Sequence, residues 1–306
     1  MIRELTPPSV VLEARGGKSL DRWLRTLLTE HLVMAYAQLM NGPAMTHSPF
    51  GPWALIVGGS EGVGACFARR LASDGVHLVL VARKPAPLAE TAAAARALGV
   101  QVRTLSLDVT TPDAIERIRA LCDGCEIATL ICNAGASHGV GGVLDQPVES
   151  ALHLMRLNCE TPLRLIHHFA GEMKARGKGG NIILLGSGAG SGGAAGIAAY
   201  SASKAFLHTL SEALWYELKP SHIRVLCLIL GLTDTPSMAR AGMRAAGSFT
   251  AEDPDRVAQT GLAQIANGPV YVMPGIQAFL DAMRQLPRAE VVELMSHATA
   301  SLGKKD

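Results

Sequence analysis

From Trp53 onward the chain alternates short apolar runs with stretches of helical period, and the first run ends in a glycine-rich turn. Ala54-Leu-Ile-Val57 leads into Gly58-Gly-Ser-Glu-Gly62-Val-Gly64, after which a helical pattern opens near Ala65. Such alternation leaves few ways to fold. Strands joined through helices lie parallel, and a parallel sheet must be covered on both faces. The apolar runs predict strands at 53–58, 77–82, 101–106, 127–132, 181–186, 223–229 and 269–273. The intervening periods predict helices near 63–73, 86–98, 112–121, 149–175, 199–218 and 253–266. The tail over 275–301 reads as two helices divided at Pro287. The expected fold class is α/β, a doubly wound parallel sheet of about seven strands with helices on both faces.

Glycines at a strand-to-helix turn let the backbone approach a pyrophosphate, whose charge is met by the amides of the helix N-terminus. In this setting Gly58, Ser60, Glu61, Gly62, Val63 and Gly64 are candidate contacts of a dinucleotide, which makes the expected sheet Rossmann-type. The spacing Gly58-x3-Gly62-x-Gly64 is not the G-x-G-x-x-G form, so the strand–turn–helix context carries that reading. The second strand ends Val79-Leu-Val-Ala-Arg83-Lys84. An acidic residue there would bond ribose hydroxyls and repel a 2′-phosphate, whereas Arg83 offers that phosphate a charged fork, with Lys84 assisting. NADP(H) is the expected cofactor. NAD(H) stays open, because Glu61 in the turn pulls mildly the other way and two charges after a strand can simply be solvated.

A length of 306 residues, 48% hydrophobic and 18% charged, suits one large domain with a short appendage. A net charge of +2 with scattered Lys and Arg gives no nucleic-acid footprint, so the expected partner is a small molecule. The six cysteines mostly sit in apolar runs, as free thiols do in a reducing compartment. Cys122-Asp-Gly-Cys125 has CxxC spacing but no second pair, so a helix end with a turn is the plain reading and no metal is expected. No uninterrupted apolar stretch reaches about 20 residues, the N-terminus lacks a secretory pattern, and Glu4, Glu13 and Asp21 argue against a transit peptide. Cytoplasmic is the default location. Residues 1–50 read as an extension with a helix at about 20–40, where Leu20, Trp23, Leu24 and Leu27 fall near helical spacing. That helix packs on the domain or on a partner subunit; peripheral membrane contact and a start at Met45 stay open. Residues 51–306 read as a single domain.

Tyr200 and Lys204 stand at i and i+4, on one face of the predicted 199–218 helix. An ammonium beside a phenol favours the phenolate, which yields a proton donor or acceptor without histidine or metal. Alone, Y-x-x-x-K is most often plain helix surface. Ser187, thirteen residues before Tyr200, and Asn158 in the preceding helix give the pair its weight. Their plain readings are loop polarity for Ser187 and a helix kink for Asn158.

With Gly58–Gly64, Tyr200 and Lys204 together, residues 53–235 resemble the short-chain dehydrogenase/reductase family. The resemblance implies that Asn158, Ser187, Tyr200 and Lys204 form the catalytic tetrad. It also implies that Asp108-Val109 sits at the adenine; the plain reading of Asp108 is a cap on the helix after 112, which Thr110 or Thr111 would serve better. Asn133, Ala134 and Gly135 match the segment beneath the cofactor, and Gly231, Thr233 and Thr235 match the one at its nicotinamide end. The chain departs from the family pattern at Val57, Cys132, Leu230 and Thr233, where threonine, asparagine, proline and an aliphatic residue are usual. The implied reaction moves a hydride between nicotinamide and a carbonyl carbon, with Tyr200 as acid, Ser187 stabilising the oxygen, and Lys204 bonding the nicotinamide ribose. Segment 236–250 falls at the substrate-lid position. Gly188, Gly190, Gly192, Gly193 and Gly196 either leave volume beside the reacting centre or serve loop conformation. A weaker similarity, through Gly51-Pro-Trp53, Arg83 and Lys204-Ala-Phe206, points to hydroxysteroid and long-chain 3-oxoacyl reductases and so to a bulky apolar substrate. A reductase of small polar carbonyls and a non-catalytic NADP-binding sensor or scaffold are the alternatives. The family's pairing through helices near 150–175 and 200–218 implies a homo-oligomer, with a homodimer favoured and a tetramer open.

Overall fold

Five inner strands carry apolar side chains on both faces, and the computed structural model buries both, while the two edge strands are half-buried. It describes residues 48–136, 139–240 and 250–302. The expected 20–40 helix, Met45 and residues 241–249 of the lid segment lie outside the described residues. Seven strands, β1 (Trp53–Val57), β2 (His77–Ala82), β3 (Val102–Ser106), β4 (Ile127–Cys132), β5 (Gly180–Leu185), β6 (Ile223–Ile229) and β7 (Val270–Val272), form one sheet. Its order is β3-β2-β1-β4-β5-β6-β7, with parallel pairing throughout. The expected doubly wound fold is thus observed, with each strand within a residue or so of its expected span.

Alternation along the strands sorts the core. Leu55, Val57, Val79 and Val81 point into a cluster closed by α3 (Ala114–Cys122), α5 (Thr161–Arg176) and α6 (Ala198–Leu218). Ala54, Ile56, Leu78 and Leu80 point the other way, beneath α1 (Gly62–Ser73), α2 (Pro85–Arg96) and α8 (Pro254–Ala263). Phe67 of α1 and Phe169 of α5 are completely or nearly completely buried, one in each cluster. Each such side chain contributes about 2–3 kcal/mol. The remaining helices are α4 (Val148–Met155), α7 (Pro236–Arg240), α9 (Pro274–Met283) and α10 (Arg288–Leu302).

The expected 149–175 helix is divided. Between α4 and α5 a single wide turn, Arg156–Glu160, has π geometry and holds Asn158 at its centre. Helical period cannot reveal that, since one extra residue shifts the apolar face by less than a third of a turn. The first βα turn shows a different constraint. Gly58 has φ +91, and a Cβ there would stand 2.5 Å from the Ala134 amide nitrogen. Gly64 has less room still, with its Cβ position 2.0 Å from the Gly58 carbonyl oxygen. Gly193 has nothing within 4 Å.

Gly64→Ala is therefore expected to lower stability by about 3 kcal/mol, whereas Gly193→Ala changes it by less than about 0.5 kcal/mol. Urea unfolding of the two variants beside the parent checks the contrast.

Candidate active site

In an open parallel sheet the crevice forms where strand order reverses, here between β1 and β4 at their C-terminal ends. The glycine turn stands at that point and is stitched to the residues after β4. Asn133 donates through Nδ2 to the Gly58 carbonyl at 2.7 Å, and the amides of Asn133 and Ala134 donate to Val57 O at 2.9 and 2.6 Å. Glu61 precedes α1 without capping it through its side chain. Its carboxylate pairs instead with Arg240 of α7 and with Lys84, the latter at 3.4 Å. The Arg240 bond above all holds the Glu61 carboxyl below its ordinary range; partial burial opposes this, and both cations add attraction. Gly62 lies against the Thr235 methyl, 3.0 Å from where its Cβ would stand.

This turn fits a pyrophosphate. The α1 N-terminus carries no side-chain cap, its glycines let the turn pack closely on the residues after β4, and two cations neutralise its one acid. The other expected contacts fall around it. Val63 is buried in the core, which leaves only its main chain facing the turn. The Ser60 carbonyl accepts from Thr91 Oγ1 at 2.9 Å. Arg83 is exposed at the end of β2. Asp108 accepts from the amide and hydroxyl of Thr110 at 3.0 and 2.7 Å; its burial is outweighed by those bonds and by Arg83, so its carboxyl titrates below the ordinary range. Asp108 thus closes a local turn rather than capping α3. Val109 is buried, and its carbonyl accepts from Thr161 at 3.0 Å. Thr233 donates to the Gly231 carbonyl at 3.4 Å, and the Thr235 hydroxyl accepts from the Met238 amide at 3.2 Å, starting α7.

Across the crevice, α6 presents Tyr200 and Lys204. Lys204 is 7% exposed; its Nζ donates to the Leu185 carbonyl at 2.8 Å and lies 5.8 Å from the centre of the Tyr200 ring. Asn158 is 1% exposed. Its Nδ2 donates to Ala136 O at 3.2 Å and Ser203 Oγ at 3.0 Å, while its Oδ1 accepts from the Ala136 amide at 3.4 Å. Ser203 in turn donates to the Tyr200 carbonyl at 2.8 Å. Gly135 joins these groups: a Cβ on it would be 3.4 Å from both Asn158 Oδ1 and Lys204 Nζ. Ser187 follows β5 and opens a short 3-10 turn, its Oγ accepting from the Ala189 amide at 3.3 Å.

Two residues escaped the sequence reading. Arg240 reaches the glycine turn from 179 positions away, and no local pattern signals that contact. His208 lies one helical turn beyond Lys204, so an i, i+4, i+8 stripe could have found it. The glycine-rich segment also has a use beyond volume or loop shape. Gly188 and Gly231 are faced by Ile276 of α9, and Gly192 by Val291, Met295 and Met283, so the C-terminal helices occupy that space.

Fold and turn together define a Rossmann-like α/β protein. The short chain dehydrogenase family profile matches residues 52–246, and the chain belongs to the short-chain dehydrogenase/reductase family. It is 34% identical over 221 residues to a very-long-chain 3-oxoacyl-CoA reductase of Aspergillus clavatus, covering 71% of this chain and 63% of that protein, less than two thirds of its length. It is 31% identical over 189 residues to a 7beta-hydroxysteroid dehydrogenase of Clostridium sardiniense, covering 61% of this chain and 72% of that one. A short-chain dehydrogenase from Sphingobium yanoikuyae, solved in complex with NADPH, superposes with a TM-score of 0.69 at 34% identity, covering 76% of this chain and 93% of that one.

Burial, then repulsion from Lys204, lowers the His208 pKa from the ordinary 6.5 to about 4. Between those values the unfolded chain takes up a proton that the folded chain refuses, so stability falls as pH drops from about 6.5 to about 4. His208 accounts for about 3 kcal/mol of that loss at most. The difference in Tm between the parent and His208→Gln, measured from pH 7 to pH 4.5, is expected to shrink as pH falls. The depressed carboxyls of Glu61 and Asp108 act below their ordinary 4.5 and 3.8 and cancel in that difference.

Proposed function

We propose that the chain is an NADP(H)-dependent oxidoreductase that interconverts a ketone and a secondary alcohol, with a bulky apolar substrate. The observation that carries this is the convergence of Asn158 and Lys204 on Gly135, beside Tyr200 and across from the glycine turn. The NADPH-bound Sphingobium relative and the exposed Arg83 after β2 support the cofactor. The Aspergillus and Clostridium relatives, named for acyl-CoA and steroid chemistry, support the substrate class.

Bound in the crevice, a nicotinamide dinucleotide would supply the hydride chemistry at the carbonyl carbon in either direction. The chain's own groups handle the oxygen. Tyr200 donates a proton to it as negative charge develops, and the Ser187 hydroxyl donates a hydrogen bond to the same atom. Lys204 places its ammonium group near the Tyr200 ring. Asn158 holds the Ala136 main chain with both ends of its amide, fixing the strand end on which Gly135 lies. At the turn, the uncapped α1 amides would hold the pyrophosphate, while Arg83 and Lys84 would hold the 2′-phosphate.

The same reading includes a homodimer in the cytoplasm. Leu152, Met155 and Leu163 are 48%, 38% and 45% exposed, and with Phe206 they line an apolar groove of about 360 Å³ across α4, α5 and α6. The six cysteines are free thiols, five of them buried. No helix among the described residues is long and apolar enough to cross a membrane.

Oxidation of NADPH against a panel of steroids, acyl ketones and small polar ketones tests the proposal, with turnover expected for the bulky members. Tight NADPH binding without any turnover would instead identify a sensor or scaffold. Tyr200→Phe is expected to lower kcat by about 10²–10⁴ while NADPH binding stays within about threefold of the parent. In a separate titration, Arg83→Ala should weaken NADPH by about tenfold and leave NADH unchanged. Equal weakening of both cofactors would remove Arg83 from phosphate recognition.

A further inference from the structure

Tyr200, Lys204 and His208 form one stripe along α6, and the first two have roles in the proposed reaction. The loop after β5 wraps the third. A Cβ on Gly186 would stand 3.1 Å from His208 Nε2, and one on Gly190 would stand 2.7 Å from its Cε1. Ser187 lies between those glycines, and the imidazole shares a hydrogen bond with its main chain. The Ser187 carbonyl also accepts from the Gly190 amide at 2.9 Å, so ring and turn meet at one peptide. Nε2 is shielded from solvent and has no hydrogen-bond partner among the described residues. A polar atom buried without a partner is costly, and an apolar side chain of similar size would avoid that cost.

We propose that His208 is a positioning residue for Ser187: its neutral ring, gripped by Gly186 and Gly190, fixes the main chain from which the Ser187 hydroxyl projects. His208 acts through Ser187 and does not touch the substrate. Its charge state suits the task. Lys204 faces it from the same helix, and Cys227 of β6 shares the surroundings of Gly186 with it, its thiol pushed up to about 12 by burial and so uncharged. A second cation beside Lys204 would be repelled, and the ring stays neutral. The proposal rests on the reaction assigned above, yet the geometry of the turn can be read without it.

The test compares His208→Leu, which keeps bulk without a donor, with His208→Asn and His208→Gln, which keep a donor. Two measurements are made on each folded variant: kcat with NADPH and a bulky ketone, and hydrogen exchange of the Ala189 and Gly190 amides. His208→Leu is expected to lower kcat by about tenfold to hundredfold, with KM and NADPH affinity little changed, and to speed exchange at both amides. At least one donor-bearing variant should recover most of both. Parent-like kcat and exchange in His208→Leu would overturn the proposal and leave the reaction standing. Equal losses in all three variants would also overturn it, because ring packing would then be the whole role. A parent inactive on every ketone, with exchange still dependent on a donor at position 208, would defeat the reaction while supporting the positioning of Ser187.

Discussion

The site depends on one buried interaction, the bond from Lys204 Nζ to the Leu185 carbonyl at the end of β5. A lysine that is 7% exposed must find hydrogen-bond partners, and this one finds them where the sheet ends. The bond pins α6 to β5, and Ser187 follows the acceptor by only two residues. It also fixes the electrostatics nearby. His208 resists protonation partly because Lys204 is close, and Cys227 and Cys132 stay as thiols, chiefly through their own burial. The floor of the crevice therefore holds one cation among neutral groups, and that cation faces the Tyr200 ring.

Asn158 solves the matching problem on the other side. A regular helix through 149–175 would bond each interior amide to the carbonyl four residues back. The wide turn at Arg156–Glu160 breaks that pattern and coincides with the point where Asn158 enters the interior. Its side chain then bonds the N–H and the C=O of Ala136 and the Ser203 hydroxyl, and Ser203 carries the connection to the Tyr200 carbonyl. Strand end, π turn and α6 are thereby joined through neutral hydrogen bonds with little net stabilisation each, about 1 kcal/mol. Their value lies in geometry, since losing any one leaves another buried group unpaired.

Much of this was legible in the sequence, for identifiable reasons. Strands such as Trp53–Val57 are apolar throughout because both faces are covered, and that run of residues survives any detail of packing. The stripe of Tyr200 and Lys204 follows from helical period alone. What was not legible depends on approach between distant segments. Arg240 meets Glu61 across 179 residues, and Ile276 meets Gly188 and Gly231 across a gap that no periodicity encodes. The π turn was hidden for a different reason, because it changes hydrogen bonding without changing which side chains are apolar.

The glycines before Tyr200 show how the same residue type can mislead. In sequence, a run of small side chains beside a reacting centre suggests empty space for a large substrate. In the structure most of that space is filled: Ile276, Met283, Val291 and Met295 of the C-terminal helices press on Gly188 and Gly192, and His208 presses on Gly186 and Gly190. Room for a bulky ketone must then come from elsewhere along the crevice. Gly193 is open, and beyond it Gly196 is faced by Val140 of the loop after β4. The small residues thus set how closely α6, α9 and α10 can pack around Ser187. Enlarging Gly186, Gly188, Gly190 or Gly192 would first displace the serine rather than narrow a pocket, which makes that part of the segment a determinant of alignment before it is one of substrate size.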